Sequence, residues 1–150
     1  DRYSVHHAVV YTNDVNLSLR SRIIQQYEGY ESYTMIARSA LVTPSSKIAG
    51  GCALMEGAIV NGAILAQNSV INTKAVIEHG CILGNNVFVG PGAIVCGDTC
   101  IGDNVLVGAG VIIRDGIEIT ENVTIGMGSV VVRSIVEPGV YLGNPCRKIR

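Results

Sequence analysis

The sequence predicts a mainly all-β domain, a parallel β-helix of hexapeptide repeats, preceded by a small N-terminal α/β unit. Three observations predict it: an aliphatic residue recurs every six positions, the composition is rich in glycine and poor in charge, and Gly, Asn and Asp recur between the apolar positions. The periodicity is decisive. From Leu65 the series runs Leu65, Ile71, Ile77, Leu83, Val89, Val95, Ile101, Val107, Ile113, Ile119, Ile125 and Val131, each one Leu, Ile or Val. Four residues after each anchor stands a small or β-branched residue: Ser69, Ala75, Cys81, Val87, Ala93, Thr99, Val105, Val111, Ile117, Val123, Ser129 and Ile135. An earlier block, Ile36, Val42, Ile48, Leu54 and Val60, obeys the same rule. The step from Val60 to Leu65 is five instead of six, so one residue is missing there. That slip predicts a tight corner, not an end to the fold.

A period of six excludes an α-helix, whose apolar stripe recurs at about 3.6, and a simple strand, whose period is two. It suits a short strand followed by a turn. Gly follows the anchors at Gly84, Gly90, Gly102, Gly108 and Gly126, and runs such as Gly84-Asn85-Asn86 and Gly102-Asp103-Asn104 supply residues that tolerate turns and left-handed backbone. Three hexads, about 18 residues, close one triangular coil, and anchors that far apart stack at ~4.8 Å. The β-helix is expected over residues 36–136 as about six coils, with a tail over 137–150.

Residues 1–35 do not fit the repeat. Ala8-Val9-Val10-Tyr11 reads as a buried strand. Asn13 or Asp14 can cap a helix from Val15 to about Tyr27, with Leu17, Ile23 and Ile24 on its apolar face, Arg20 and Arg22 near the surface, and Gly29 ending it. Tyr33 to Ile36 then reads as a strand entering the β-helix. This unit is too small to hold a core alone and is expected to pack on the bottom of the prism or to be the remnant of a larger α/β domain.

The composition sets bounds on function. The 150 residues suffice for one domain with a real core, and 48% hydrophobic against 15% charged residues excludes disorder. A net charge of −1 gives no basic field, so neither nucleic acid nor an anionic membrane is an expected partner. No apolar run reaches the ~18 residues of a membrane span, and no signal peptide is visible, so a cytoplasmic location is expected. Five cysteines, Cys52, Cys81, Cys96, Cys100 and Cys146, are an odd number without paired spacing. The CxxxC of Cys96 and Cys100 is neither a redox motif nor a zinc knuckle, and these thiols read as small apolar fillers.

The hexads resemble those of the left-handed β-helix acyltransferases, more narrowly the sugar O- and N-acetyltransferases of the sialic acid and bacillosamine type. The likeness is carried by Ile71-Asn72-Thr73-Lys74-Ala75-Val76-Ile77-Glu78-His79-Gly80-Cys81, by Val89-Gly90-Pro91-Gly92-Ala93, by Val107-Gly108-Ala109-Gly110 and by Gly143-Asn144-Pro145. It covers Ile36 to Arg150, about three quarters of the chain. The resemblance implies left-handed coiling, which the period itself does not show. Thr12-Asn13-Asp14, Arg20 and Ile23 also resemble the end of that family's N-terminal nucleotide-binding domain, whose first half with its Gly-rich turn is not matched here.

The resemblance implies an acetyl-CoA-dependent acetyltransferase acting on a sugar or nucleotide-linked amino sugar, with no metal. His79, two residues after anchor Ile77, points outward, and a neutral imidazole suits removal of a proton from an attacking amine or hydroxyl. The family places its general base here. Its usual acidic neighbour is replaced by Gly80, which leaves Glu78 as the candidate to orient the imidazole. One coil beyond His79 lies Gly97, whose N–H is the candidate oxyanion donor. Asn72 is a candidate acceptor-binding residue. In the family the cofactor lies between adjacent subunits of a homotrimer; by position Phe88, Gly108, Ala109, Gly126 and Met127 are candidates to line it, with Gly97 near the thioester and basic Arg147 and Lys148 to meet phosphates. Cys81 falls on an inward position, which disfavours an acyl-cysteine route.

Two other readings use the same fold. A γ-type carbonic anhydrase needs three histidines converging on zinc, but of His6, His7 and His79 only the last lies in the repeat. A non-catalytic β-helix scaffold would not need an outward histidine in an acetyltransferase-like motif.

Overall fold

A computed structural model describes residues 4–5, 17–27 and 29–150. Those from 35 onward wind into a triangular prism of parallel coils with a β-strand on each of its three faces. The first face stacks strands from Met35–Ile36 through Ala53–Leu54, Val70–Ile71, Phe88–Val89 and Leu106–Val107 to Val123–Ile125, then Gly139–Leu142. The antiparallel strand Arg147–Lys148 closes that sheet. The second face runs from Leu41–Val42 through Ile59–Val60, Val76–Ile77, Ile94–Val95 and Ile112–Ile113 to Val130–Val131. The third runs from Lys47–Ile48 through Ile64–Leu65, Ile82–Leu83 and Cys100–Ile101 to Glu118–Ile119, where a single bridge joins Ile119 to Ile135.

The hexad rule accounts for the core. All twelve anchors from Leu65 to Val131 are buried, and so are all twelve residues four positions later. Each fully buried aliphatic side chain contributes about 1.5–3 kcal/mol. Polar members of the inward set are satisfied locally: Ser69 Oγ donates to the Gly84 carbonyl at 3.0 Å, Thr99 Oγ1 to the Cys96 carbonyl at 2.8 Å, and Ser129 Oγ to the Gly126 carbonyl at 2.7 Å. The lowest coil is open beneath, so Ile36, an anchor by sequence, is 49% exposed.

Pairing shows where the missing residue falls. Ile77 pairs with Val95, 18 positions on, whereas Ile48 pairs with Leu65 and Val60 with Ile77, both 17 on. The shortened corner is Asn61-Gly62-Ala63, between the second and third faces, where the next coil has Glu78-His79-Gly80-Cys81. Gly62 lies below Gly80, whose N–H donates to the Gly62 carbonyl at 3.2 Å. The residue deleted is therefore the counterpart of His79.

The N-terminal unit differs from expectation in place and polarity. Ala8–Tyr11, Asn13 and Asp14 lie outside the described residues. The described helix is Ser18–Gln26, entered through Leu17 with φ 57° and no side-chain cap. It packs on the outer side of the first face, not on the bottom of the prism: Leu17 clusters with Ala53, Val70 and Phe88. Ser4–Val5 pairs in parallel with Glu31–Ser32.

Arg20, expected near the surface, is only 3% exposed. The third-to-first corner carries Asn68, Asn86, Asn104 and Asn122, one per coil and all with positive φ, a conformation asparagine tolerates. Arg20 donates to Asn86 Oδ1 and, at 2.6 Å, to the Asn68 carbonyl. Asn86 Nδ2 donates to Ser21 Oγ at 2.7 Å and to Asn104 Oδ1 at 2.8 Å. Burial pulls the guanidinium down to about 10, so it stays charged at neutral pH. Folding lowers this group's affinity for its proton, so its linked contribution to stability rises only with pH above 10, and stability near neutrality is insensitive to it. Arg20→Ala takes the donor from one buried and one part-buried acceptor, Asn86 Oδ1 and the Asn68 carbonyl. It is expected to cost about 1–3 kcal/mol and to remove hydrogen-exchange protection from the helix before the coils open.

Candidate active site

The corner joining the second face to the third builds the site. His79 sits at its tip, exposed. Its imidazole rises over Gly97 in the coil above. A Cβ on Gly97 would meet His79 Cε1 at 2.7 Å, Nε2 at 2.9 Å and Nδ1 at 3.2 Å. Gly97 has no positive φ, so glycine is required there by the close approach of the ring and not by backbone conformation. The Gly97 carbonyl accepts from the Gly116 N–H at 3.0 Å, while its own N–H makes no hydrogen bond among the described residues. A free main-chain donor thus lies beside the only imidazole among the described residues.

The surroundings keep this imidazole accessible. The coil below is one residue short in the same column, and the coil above offers a glycine. A Cβ placed on Gly62 would still be 4.0 Å from His79 Cα. The slip and the glycine clear the two positions that flank the ring.

Glu78, the candidate orienter, is directed elsewhere. Its Oε2 accepts from Asn61 Nδ2 at 3.0 Å, in the coil below. The residue that sequence reasoning missed is Asp98. Its carboxylate fills the space a side chain on Gly80 would need, with Oδ1 2.1 Å from the position of that Cβ. Its signal was the stacking rule: Asp98 is Gly80 plus 18, with a left-handed φ of 58°.

The other candidates are dispersed. Asn72, Gly108, Ala109, Gly126 and Met127 share the first-to-second corner, at the opposite edge of the second face from His79. Asn72 Oδ1 accepts from the Thr73 N–H at 2.7 Å. Met127 is exposed. Gly108 has a structural role of its own, because a Cβ there would meet Met127 N at 2.6 Å and the Ile125 carbonyl at 2.8 Å. Phe88 is 7% exposed and packs with Leu17 on the first face, across the prism from His79. Lys148 pairs with Glu137 at 2.8 Å, and Arg147 donates to the Cys146 carbonyl at 2.9 Å, both on the exposed last strand.

Cys81 is fully buried, with Sγ donating to the Cys96 carbonyl at 3.1 Å, and burial pushes its thiol up. No acceptor can reach it. An open groove of about 430 Å³ follows the third face beside Ile82, Cys100, Glu118 and Val136. Among the described residues no cluster of three His, Cys, Asp or Glu side chains is placed to hold a metal. No helix among them is long and apolar enough to cross a membrane.

Residues 98–133 match the family model described as bacterial transferase hexapeptide (six repeats). Among solved structures, the acetyltransferase domain of PglB from Neisseria gonorrhoeae is 31% identical, with a TM-score of 0.86 over 91% of this chain and 68% of that one. The same domain in complex with acetyl coenzyme A gives 30% identity and a TM-score of 0.84 over the same shares. PerB from Caulobacter crescentus in complex with CoA and GDP-perosamine is 28% identical, with a TM-score of 0.86 over 91% of this chain and 68% of that one. No curated protein sequence matches the chain.

Proposed function

The chain belongs to the left-handed β-helix, hexapeptide-repeat sugar acetyltransferases, and on that premise we propose that it transfers the acetyl group of acetyl-CoA to the amino group of a nucleotide-linked amino sugar. The observation that carries this reading is the His79 imidazole standing over Gly97, with a free main-chain N–H beside it. The complexes of the related proteins with CoA, acetyl coenzyme A and GDP-perosamine support the choice of both substrates.

The transfer is direct, in a ternary complex. The acceptor nitrogen attacks the thioester carbonyl while His79 takes its proton. The Gly97 N–H receives the oxyanion of the tetrahedral intermediate. Collapse expels the CoA thiolate, which recovers the proton from the imidazolium.

The site is completed by a second copy. His79 and the small-residue corner of Asn72, Gly108, Ala109, Gly126 and Met127 occupy opposite edges of the second face. A heterologous contact around a three-fold axis lays one copy's small-residue corner against the next copy's His79 and closes a ring. The outward aliphatic column of that face, which includes Leu41 at 64% exposure, Ile94 and Ile112, supplies the apolar contact. The cofactor's pantetheine arm runs in the resulting groove. Arg147 and Lys148 remain candidates for its phosphates.

The experiment is release of free thiol from acetyl-CoA with GDP-perosamine and other nucleotide-linked amino sugars as acceptors. Acceptor-dependent turnover is expected; no turnover and no CoA binding would leave a β-helix scaffold. Sedimentation equilibrium is expected to give a trimer, and a monomer at micromolar concentration would remove the inter-subunit groove.

A further inference from the structure

An imidazole that accepts a proton becomes a cation, and at an exposed corner a nearby carboxylate both stabilises that cation and limits how the ring turns. Within two coils of His79 this corner carries four charged groups. Glu78 is in the same coil, Asp98 one coil above, and Arg114 and Asp115 two coils above. Glu78 is held from below by Asn61. Asp115 is stacked beyond Gly97, in the second coil up, where its charge and that of Glu78 reach the Cys96 thiol. Asp98 differs from all three. Its main-chain N–H donates to the His79 carbonyl at 2.8 Å, so the two residues are tied through the backbone. Its carboxylate descends over Gly80, the residue next to His79, into space that any side chain at 80 would contest. It makes no ion pair among the described residues.

We propose that Asp98 is the positioning residue for His79, supplying from the coil above the negative charge that Gly80 cannot carry and Glu78 does not deliver. The inference rests on the reading of His79 as the general base. It couples two features of the sequence: glycine at 80 is the vacancy, and aspartate 18 residues later fills it. His79 rises against Gly97 while Asp98 descends against Gly80, so the two side chains run side by side in opposite directions along the corner. A proton gained by the imidazole is then compensated without a hydrogen bond to the acceptor's side of the ring.

Asp98→Asn is a clean test because asparagine holds the same left-handed corner conformation at Asn68, Asn86, Asn104 and Asn122. The charge is removed and the backbone is not strained. Two readouts apply: the NMR pH titration of the His79 Cε1 proton, assigned with His79→Gln, and acetyl-CoA thiol release with GDP-perosamine over about pH 5.5–9. In Asp98→Asn the His79 Cε1 signal is expected to follow a different course with pH from that in the wild type. Its kcat is expected to fall about five- to tenfold with KM little changed, and Asp98→Glu is expected to recover part of the rate. An imidazole titration that does not move in Asp98→Asn overturns the proposal, whatever the rate. If the titration moves but His79→Ala keeps wild-type turnover, the Asp98–His79 coupling stands and the general-base reading is what falls.

Discussion

His79→Ala is expected to lower kcat by about 10²–10⁴-fold while leaving the unfolding free energy within about 0.5 kcal/mol of wild type. The first figure follows from losing the group that takes the proton as the acceptor attacks. The second follows from location: the side chain is exposed and lies outside the core. Shortening it opens the Gly97 amide to water but leaves no cavity. Thiol release and chemical denaturation on the same preparation check both halves, and a variant with undiminished turnover would take the base away from this position.

Gly97→Ala is expected to lose about 10²–10³-fold in kcat although its amide N–H is retained. The new methyl would stand 2.7 Å from His79 Cε1 and 2.9 Å from Nε2, so the ring must leave its place beside that amide. Because the obstructing atoms are the far end of a flexible side chain, the fold gives way cheaply and stability is expected to change little. Gly108→Ala reverses the pattern. There the methyl meets main-chain atoms of the next coil, Met127 N at 2.6 Å and the Ile125 carbonyl at 2.8 Å, and neither can swing aside. A loss of about 1–3 kcal/mol is expected from the strain. Measuring kcat and denaturation for both variants separates a glycine needed for chemistry from a glycine needed for coil stacking.

Residues singled out by sequence divide along the same line. His79, Gly97 and Cys81 lie where the repeat puts them: outward, one coil above, and inward. Their positions depend only on the count from an anchor. The burial of Phe88 and of Arg20 has one shared reason. Phe88 is outward by the count and would be exposed on a bare prism, but the helix Ser18–Gln26 covers that face through Leu17. Arg20 looks like a surface charge on an amphipathic helix, but that helix lies on a column of asparagines whose oxygens accept from it. Packing of a non-repeating segment on a repeating one has no period, and the sequence offers nothing to count.

The sequence by itself determined the coil: which residues face inward, how many stack, and that one residue is missing between Val60 and Leu65. It could do so because in a β-helix each inward position is a local choice of side chain, repeated at fixed spacing. Only the tertiary structure decided what that missing residue means. Stacking places the gap under His79, Gly97 over it, and the Asp98 carboxylate above Gly80, because neighbours along a prism edge lie a full coil apart in sequence. The physical reason is that side chains meeting across coils are selected by space and charge, and these become visible only once the coils are laid one on another.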